Sequence, residues 1–338
     1  MFTILKNNEP AIKQVLKAAK SNDSIAAYAS ALITASNKLV TIVCGDGSIE
    51  LAATLNDCNI ESEGVVCVDA QKFGQAVAAC KYECQVFFKD GFVEVKNGKS
   101  KFKLMTTNPD AYPSYPDTGA QEQLSVDSGS LIAAIKSASL IAPESDVRYF
   151  LNGVKIGDNV CASDGHRLIV IDSEKTPSAI VPSNSIKVMP DKADGIFISQ
   201  NFITVKDGNI TFKSKLIDGK FPDVMRAVQS PVKFATIDAE SLRDAIRNAS
   251  VTANKTNNGV RLVIENNDGK ITSTSQNQEQ SVIGFDAESS DHIEIAFNAK
   301  YALDAMSYYD GIVEVGFTDN QMVIKTDGMI NVVMGMRL

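Results

Sequence analysis

The chain has 338 residues, of which 44% are hydrophobic and 22% charged, and a formal net charge of −8. These proportions belong to a globular protein of about two or three domains, not to a disordered or fibrous one. The acidic balance argues against capture of nucleic acid by the surface as a whole. No apolar run approaches the ~20 residues of a membrane helix, and residues 1–6 lack the features of a signal peptide, so a cytoplasmic location without membrane contact is expected.

The first third opens with a predicted helix over 11–21. Ile12, Val15, Leu16 and Ala19 lie on one face, and Lys13, Lys17 and Lys20 on the other. Short β segments follow, then a second helix over 70–82 capped by Asp69, then a strand over 91–98 that runs into a turn. The middle third repeats this order. A helix is predicted over 128–140, and a second over 183–189 with Ser183 as its cap. A hairpin spans 202–212, with Asp207-Gly208 suited to its tight turn. The final third has helices over 239–250 and 299–309, the latter capped by Asn298, and a strand and turn over 322–328.

The repetition extends to sequence. Residues 130–139 and 241–250 share six of ten positions, including Leu131/Leu242, Ile135/Ile246 and Ala138/Ala249, and a fainter copy starts at Ile12. A period near one third of the chain makes each copy a domain, not a solenoid unit. Tyr115-Pro116-Asp117 and Phe221-Pro222-Asp223 close the first two copies. The expected domains are 1–117, 118–228 and 229–338, in an α+β fold of three repeated units, each with two helices and β-sheet.

Charge separates by element. The six helix windows, the fourth extended to Lys192, hold eleven basic residues and four acidic ones, which leaves the remainder strongly acidic. Solvated helix faces account for part of this bias, and a basic surface presented to phosphates accounts for all of it. Both readings stay open on composition alone.

Chemistry is sparse. There are six cysteines, and only His166 and His292 could join them, without zinc-ligand spacing. Reduced, buried thiols and no metal are expected. No phosphate-cradling Gly-x-x-x-x-Gly-Lys-Ser/Thr occurs, so no nucleotide cofactor is expected. Ser163-Asp164-Gly165-His166 contains the residue types of a hydrolase, which leaves a catalytic site around Asp164 and His166 as the alternative. Neighbours in one turn rarely converge as a nucleophile and its base.

The segments Val147-Arg148-Tyr149-Phe150-Leu151-Asn152-Gly153, Ser163-Asp164-Gly165-His166-Arg167-Leu168, Gly219-Lys220-Phe221-Pro222-Asp223 and Met334-Gly335-Met336-Arg337-Leu338 occur in this order. In them the chain resembles the β subunit of bacterial DNA polymerase III, the β sliding clamp, along its whole length. The resemblance implies a non-enzymatic processivity factor. Two chains would close head to tail into a ring, with sheets outside and helices lining a hole for duplex DNA. Phosphate contacts there would carry no sequence information, as sliding requires.

By the same resemblance, a cleft receives short peptides from the DNA polymerase III catalytic subunit, the clamp loader complex and other proteins carrying a clamp-binding motif. The middle third would supply Leu151, Ser163, Gly165, His166, Arg167 and Leu168. Pro222 and Arg226 would come from the junction, and Asn298, Tyr301, Val332, Met334 and Met336 from the final third. The helix faces nominate Lys13, Lys17, Lys20, Lys72, Lys136, Lys187, Arg243 and Arg247 for the DNA-facing surface. The homodimer seam would join Phe102 and Leu104 of the alternating segment 99–104 to the region of Val251 and Thr252 in the other chain. The chain departs from the family pattern at Gly335, where proline is usual, and at Ala227, Asn257 and Val224-Met225. These departures bear on which peptides fit.

Overall fold

Alternation of apolar and polar residues sorts the strands. In Ile49–Leu55 every second residue, from Ile49 to Leu55, is buried while those between are partly exposed. A computed structural model describes residues 1–20, 26–113, 115 and 119–338. Ser21, Pro116 and Asp117, which bound the predicted first helix and first domain, lie outside the described residues. The chain divides into two units, one of residues 1–133 and 184–218, the other of residues 134–183 and 219–338.

Each unit holds one antiparallel sheet of twelve strands among the described residues. In the first unit, Ile49–Leu55 of the first third pairs with Ile210–Lys215 of the middle third, with Leu51 opposite Phe212. In the second unit, Arg167–Asp172 of the middle third pairs with Met329–Met334 of the final third, with Leu168 opposite Val332. Backbone ladders therefore fuse the middle third to sheet from both neighbours.

Six α-helices are described: α1 (Glu9–Leu16), α2 (Ala70–Ala78), α3 (Ser128–Ser139), α4 (Ser183–Ile186), α5 (Ala239–Ala249) and α6 (Ala299–Met306). Side-chain caps set several starts. Asp69 accepts the Lys72 N–H at α2, Asp238 the Ser241 N–H at α5, and Asn298 the Lys300 and Tyr301 N–H groups at α6. Leu242 and Ile246 of α5 and Ala302 and Met306 of α6 enter one core with Phe297 and Phe317. Each large apolar side chain so buried contributes roughly 1.5–3 kcal/mol.

Three local expectations are corrected. Helix α1 ends at Leu16, because the N–H groups of Lys17, Ala18 and Ala19 tighten onto carbonyls three residues back and the Lys20 N–H turns to Tyr28 O. Lys20 is therefore not on a helix. Ser183 does not cap α4 but lies within it and donates its hydroxyl to Pro143 O at 2.9 Å, and Lys187 falls in the turn after this one-turn helix. In the 202–215 hairpin, Asp207 pairs with Ile210, so the two turn residues are Gly208 and Asn209. Gly208 takes the left-handed φ of 55° that the tight turn needs.

Candidate functional site

Four segments of the chain enclose an apolar cleft of about 340 Å³ in the second unit. Its floor is the paired strands that place Leu168 beside Val332, with Met334 at one end. One wall is the 3-10 turn Tyr149–Leu151, which presents Phe150 and Leu151. The opposite wall is Pro222 and the 3-10 turn Val224–Ala227.

Short-range hydrogen bonds explain why these loops hold their shape. Asn152 accepts the Asp146 N–H at 2.6 Å and donates to Asp146 O at 3.0 Å, closing the loop before the first wall. The Arg148 guanidinium beside Asp146, at 2.8 Å, holds that carboxyl down at a pKa of about 2. Behind the second wall, buried Gln321 donates to Ala227 O at 2.7 Å and to Met334 Sδ at 3.4 Å, and accepts the Gln229 N–H at 3.0 Å. A satisfied buried amide of this kind fixes the wall it bonds.

The turn that carries the Ser-Asp-Gly-His-Arg motif is a closed hydrogen-bonding unit. Asp164 Oδ1 accepts the N–H groups of His166 at 2.9 Å and Arg167 at 3.0 Å. Ser163 Oγ donates to Arg167 O at 2.8 Å and accepts the Gly165 N–H at 3.0 Å. The His166 ring stacks on Tyr301 with centroids 6.1 Å apart. Serine and aspartate are thus engaged in shaping the turn, and neither is set against the imidazole as a catalytic pair.

Of the residues expected in the cleft, Leu151, Ser163, Gly165, Arg167, Leu168, Pro222, Val332 and Met334 line it. The other five are placed elsewhere. His166 lends its carbonyl to the Met334 N–H at 2.8 Å, and Tyr301 lies under the Arg167 guanidinium at 4.6 Å. Asn298 is consumed in capping α6 and in donating to Asn257 O. Arg226 is exposed in a pair with Asp223, and Met336 sits in a separate groove beside Arg261 and Glu294. Arg148, Phe150 and Asp223 line the cleft without having been expected there, and Val224 and Ala227, two of the departures from the family pattern, line it as well. The sequence signals for that wall were Pro222 and Arg226, named by the resemblance, and the departures at Val224 and Ala227 beside them. Gly335 also has a structural role, since its N–H donates to Asn320 O at 2.7 Å, a bond proline lacks.

Family models for the DNA polymerase III beta subunit match almost end to end: the N-terminal domain at residues 2–116, the central domain at 125–223 and the C-terminal domain at 229–334. The chain belongs to the DNA polymerase III β subunit family. This is a family of sliding clamps in DNA replication, processivity factors and not catalytic enzymes. The resemblance read from the motifs and the α+β fold of three clamp domains both hold.

Among relatives, the Beta sliding clamp of Haemophilus influenzae is 27% identical over 331 residues, covering 90% of this chain and 89% of its own. That of Pseudomonas aeruginosa is 30% identical over 289 residues, covering 76% and 79%. A crystal structure of the DNA polymerase III subunit beta from Pseudomonas aeruginosa superposes with a TM-score of 0.90 at 25% identity, covering 100% of both chains. The sliding clamp from Bacillus subtilis, at 22% identity and a TM-score of 0.88, shares the fold over 100% of this chain and 99% of its own.

The basic residues nominated for DNA differ in their surroundings. Lys13 pairs with Glu9 at 2.7 Å, Lys20 with Asp46 at 2.7 Å, and Arg247 with Asp244 on the same helix. Lys17 donates to neutral Gln14 at 2.7 Å, and Lys72 is exposed. Lys136 closes the exposed face of α3 near its end, and Lys187 follows α4. Arg243 is mostly enclosed. Its guanidinium donates to Met306 O at 2.9 Å and to Tyr309 O, and pairs with Asp310, so it caps the end of α6. That geometry makes Arg243 a structural cap first, which a helical-wheel argument does not reveal.

Besides the end strands of the two sheets, two interior strands leave one side largely unpaired among the described residues. Strand Ser100–Thr107 pairs along one side with Phe92–Asn97, but on the other only Thr106 and Thr107 have partners. Phe102 and Leu104 are half-buried there, and Met105 is exposed. Strand Gln280–Glu288 likewise pairs through residues 280–286 with Asp268–Thr274, and on its other side only through Ala287 and Glu288. Beside it, Thr252 Oγ1 hydrogen-bonds Ser273 and Ser281, and Val251 is 82% exposed.

Proposed function

We propose that this chain forms a homodimeric ring that encircles duplex DNA, slides without sequence preference and tethers the DNA polymerase III catalytic subunit, the clamp loader complex and other motif-bearing proteins in the cytoplasm. The observation that carries the tethering reading is the convergence of Leu151, Leu168, Pro222, Val332 and Met334 on one apolar cleft. A concave pocket of this kind anchors one or two apolar side chains of a peptide, each contributing roughly 1.5–3 kcal/mol. The adaptable Met334 thioether suits a groove that takes different partners.

The open edges support ring closure. An unpaired strand edge with apolar side chains is a template for pairing with another chain. In a head-to-tail dimer, the edge of Ser100–Met105, with Phe102 and Leu104, meets the edge near Val251, Thr252 and residues 280–286 of the second copy. The domains are taken as 1–117, 118–228 and 229–338. Lys13, Lys17, Lys20, Lys72, Lys136, Lys187 and Arg247 supply the field for DNA, with Arg243 adding charge while it caps α6.

The test is retention on DNA after loading. The protein should stay on nicked circular DNA and leave once the circle is linearised. Equal retention on both forms refutes topological holding.

A further inference from the structure

Arg167 lines the cleft, and its guanidinium is held in a cage of charge. Nε meets Asp164 Oδ2 at 2.9 Å, Nη1 meets Asp304 Oδ2, and the guanidinium carbon lies 4.6 Å from the Tyr301 ring centroid. The Arg167 side chain is 8% exposed. Burial alone draws its pKa down, and the two carboxylates more than reverse this. On the far side of the same turn, Arg148 donates to Asp164 O at 2.9 Å, and its guanidinium occupies the space where a Cβ on Gly165 would stand. The turn is thus gripped from two sides, by Arg148 from its own third and by Arg167 through α6 of the final third.

Asp304 touches no part of the cleft surface. It lies on α6, and its one described side-chain ion pair is with Arg167. The arginine is the lining residue through which it reaches the cleft. Deleting a half-buried carboxylate leaves Arg167 with Asp164 and the face of Tyr301 only, which loosens the turn that presents Ser163, Gly165 and Leu168 to the cleft. Rotamer freedom gained in the empty protein is lost again on binding, so the cost appears as affinity.

We propose that Asp304 is a positioning residue for peptide capture: it latches Arg167, and with it the 163–167 turn, to α6 so that the cleft is formed before a partner arrives. This rests on the reading that the cleft binds partner peptides.

The experiment measures binding of a fluorescein-labelled peptide with two adjacent large apolar residues, Leu-Phe, to the full chain by anisotropy. The variants are Asp304→Asn, Asp304→Glu, Arg167→Ala and Arg167→Ala with Asp304→Asn, each checked for folding by far-UV circular dichroism. Asp304→Asn should weaken binding about tenfold, within the coupling range of contacting charged residues. Asp304→Glu should recover most of the loss. In the Arg167→Ala background, the asparagine change should alter affinity less than about twofold, because its route of action is gone. An unchanged affinity in Asp304→Asn, or an equal loss with and without Arg167, overturns the latch. If the unmodified chain fails to bind the peptide at all, the cleft reading itself is overturned and the latch with it.

Discussion

Arg243 and Arg247 lie one helical turn apart on α5, and helical periodicity places them together on a basic face. The structure separates them. Arg243 is the donor for Met306 O and Tyr309 O at the end of α6, and its side chain is 18% exposed. Arg247 is 62% exposed and pairs only along its own helix with Asp244. Replacing Arg243 with alanine removes two charge-assisted hydrogen bonds, each contributing about 1.5–3 kcal/mol, and leaves the Tyr309 carbonyl to find water while Met306 O keeps the Tyr309 N–H. Asp310 is 97% exposed, so the third contact adds little, and water reaches part of the site. The net loss should be about 2–4 kcal/mol. Arg247→Ala should cost less than about 0.5 kcal/mol, as surface pairs on one helix do. Urea unfolding followed by far-UV circular dichroism, with amide hydrogen exchange localised to α6, makes the comparison. DNA retention is then read on the folded variants, where Arg247→Ala should show the cleaner electrostatic loss. Equal unfolding midpoints for the two variants would refute the capping argument.

Three further outcomes are expected. Gln321→Ala should destabilise the second unit by about 2–3 kcal/mol, because it orphans Ala227 O and the Gln229 N–H, and should weaken peptide binding; an unchanged midpoint would remove Gln321 from the support of the wall. Asp146 should titrate near 2, so the stability from its pair with Arg148 is complete above the ordinary carboxylate value of about 3.9 and fades as pH falls toward 2. In Arg148→Ala its carboxyl resonance should move up toward the ordinary value, and a static titration would refute the pairing. Burial pushes the Cys58 and Cys161 thiols up to about 11 and raises those of Cys44, Cys80 and Cys84. At pH 8 the native protein should therefore react slowly with a disulfide reagent and release all six thiols only on denaturation, while a fast-reacting fraction would contradict their enclosure.

What could be read from residues alone was whatever rests on local periodicity. Leu242, Ile246 and Ala249 repeat the spacing of Leu131, Ile135 and Ala138, and all six are buried. Asp69 and Asn298 act as caps because an oxygen three bonds from the backbone Cα reaches the N–H groups of the first turn whatever surrounds it. Ser183 failed as a cap because Pro143 O, forty residues away, takes its hydroxyl. The cleft divides in the same way. Leu168 and Val332 were legible as apolar strand residues within recognisable motifs, whereas Phe150, Val224 and Ala227 became cleft walls only when 3-10 turns met the sheet.

Charge shows the division most sharply. Composition placed eleven basic and four acidic residues in the predicted windows, but the helices as folded hold six basic and four acidic ones, because Lys17, Lys20, Lys81, Lys187 and Lys192 fall past helix ends and Glu9 falls inside α1. Which cations remain available is decided by tertiary structure, because Arg243 finds one carbonyl at the end of α6 and one just past it, Lys20 finds Asp46, and Arg167 finds carboxylates from both its own turn and α6. A side chain's sequence specifies its charge and reach, but only folding brings up the distant group that consumes them.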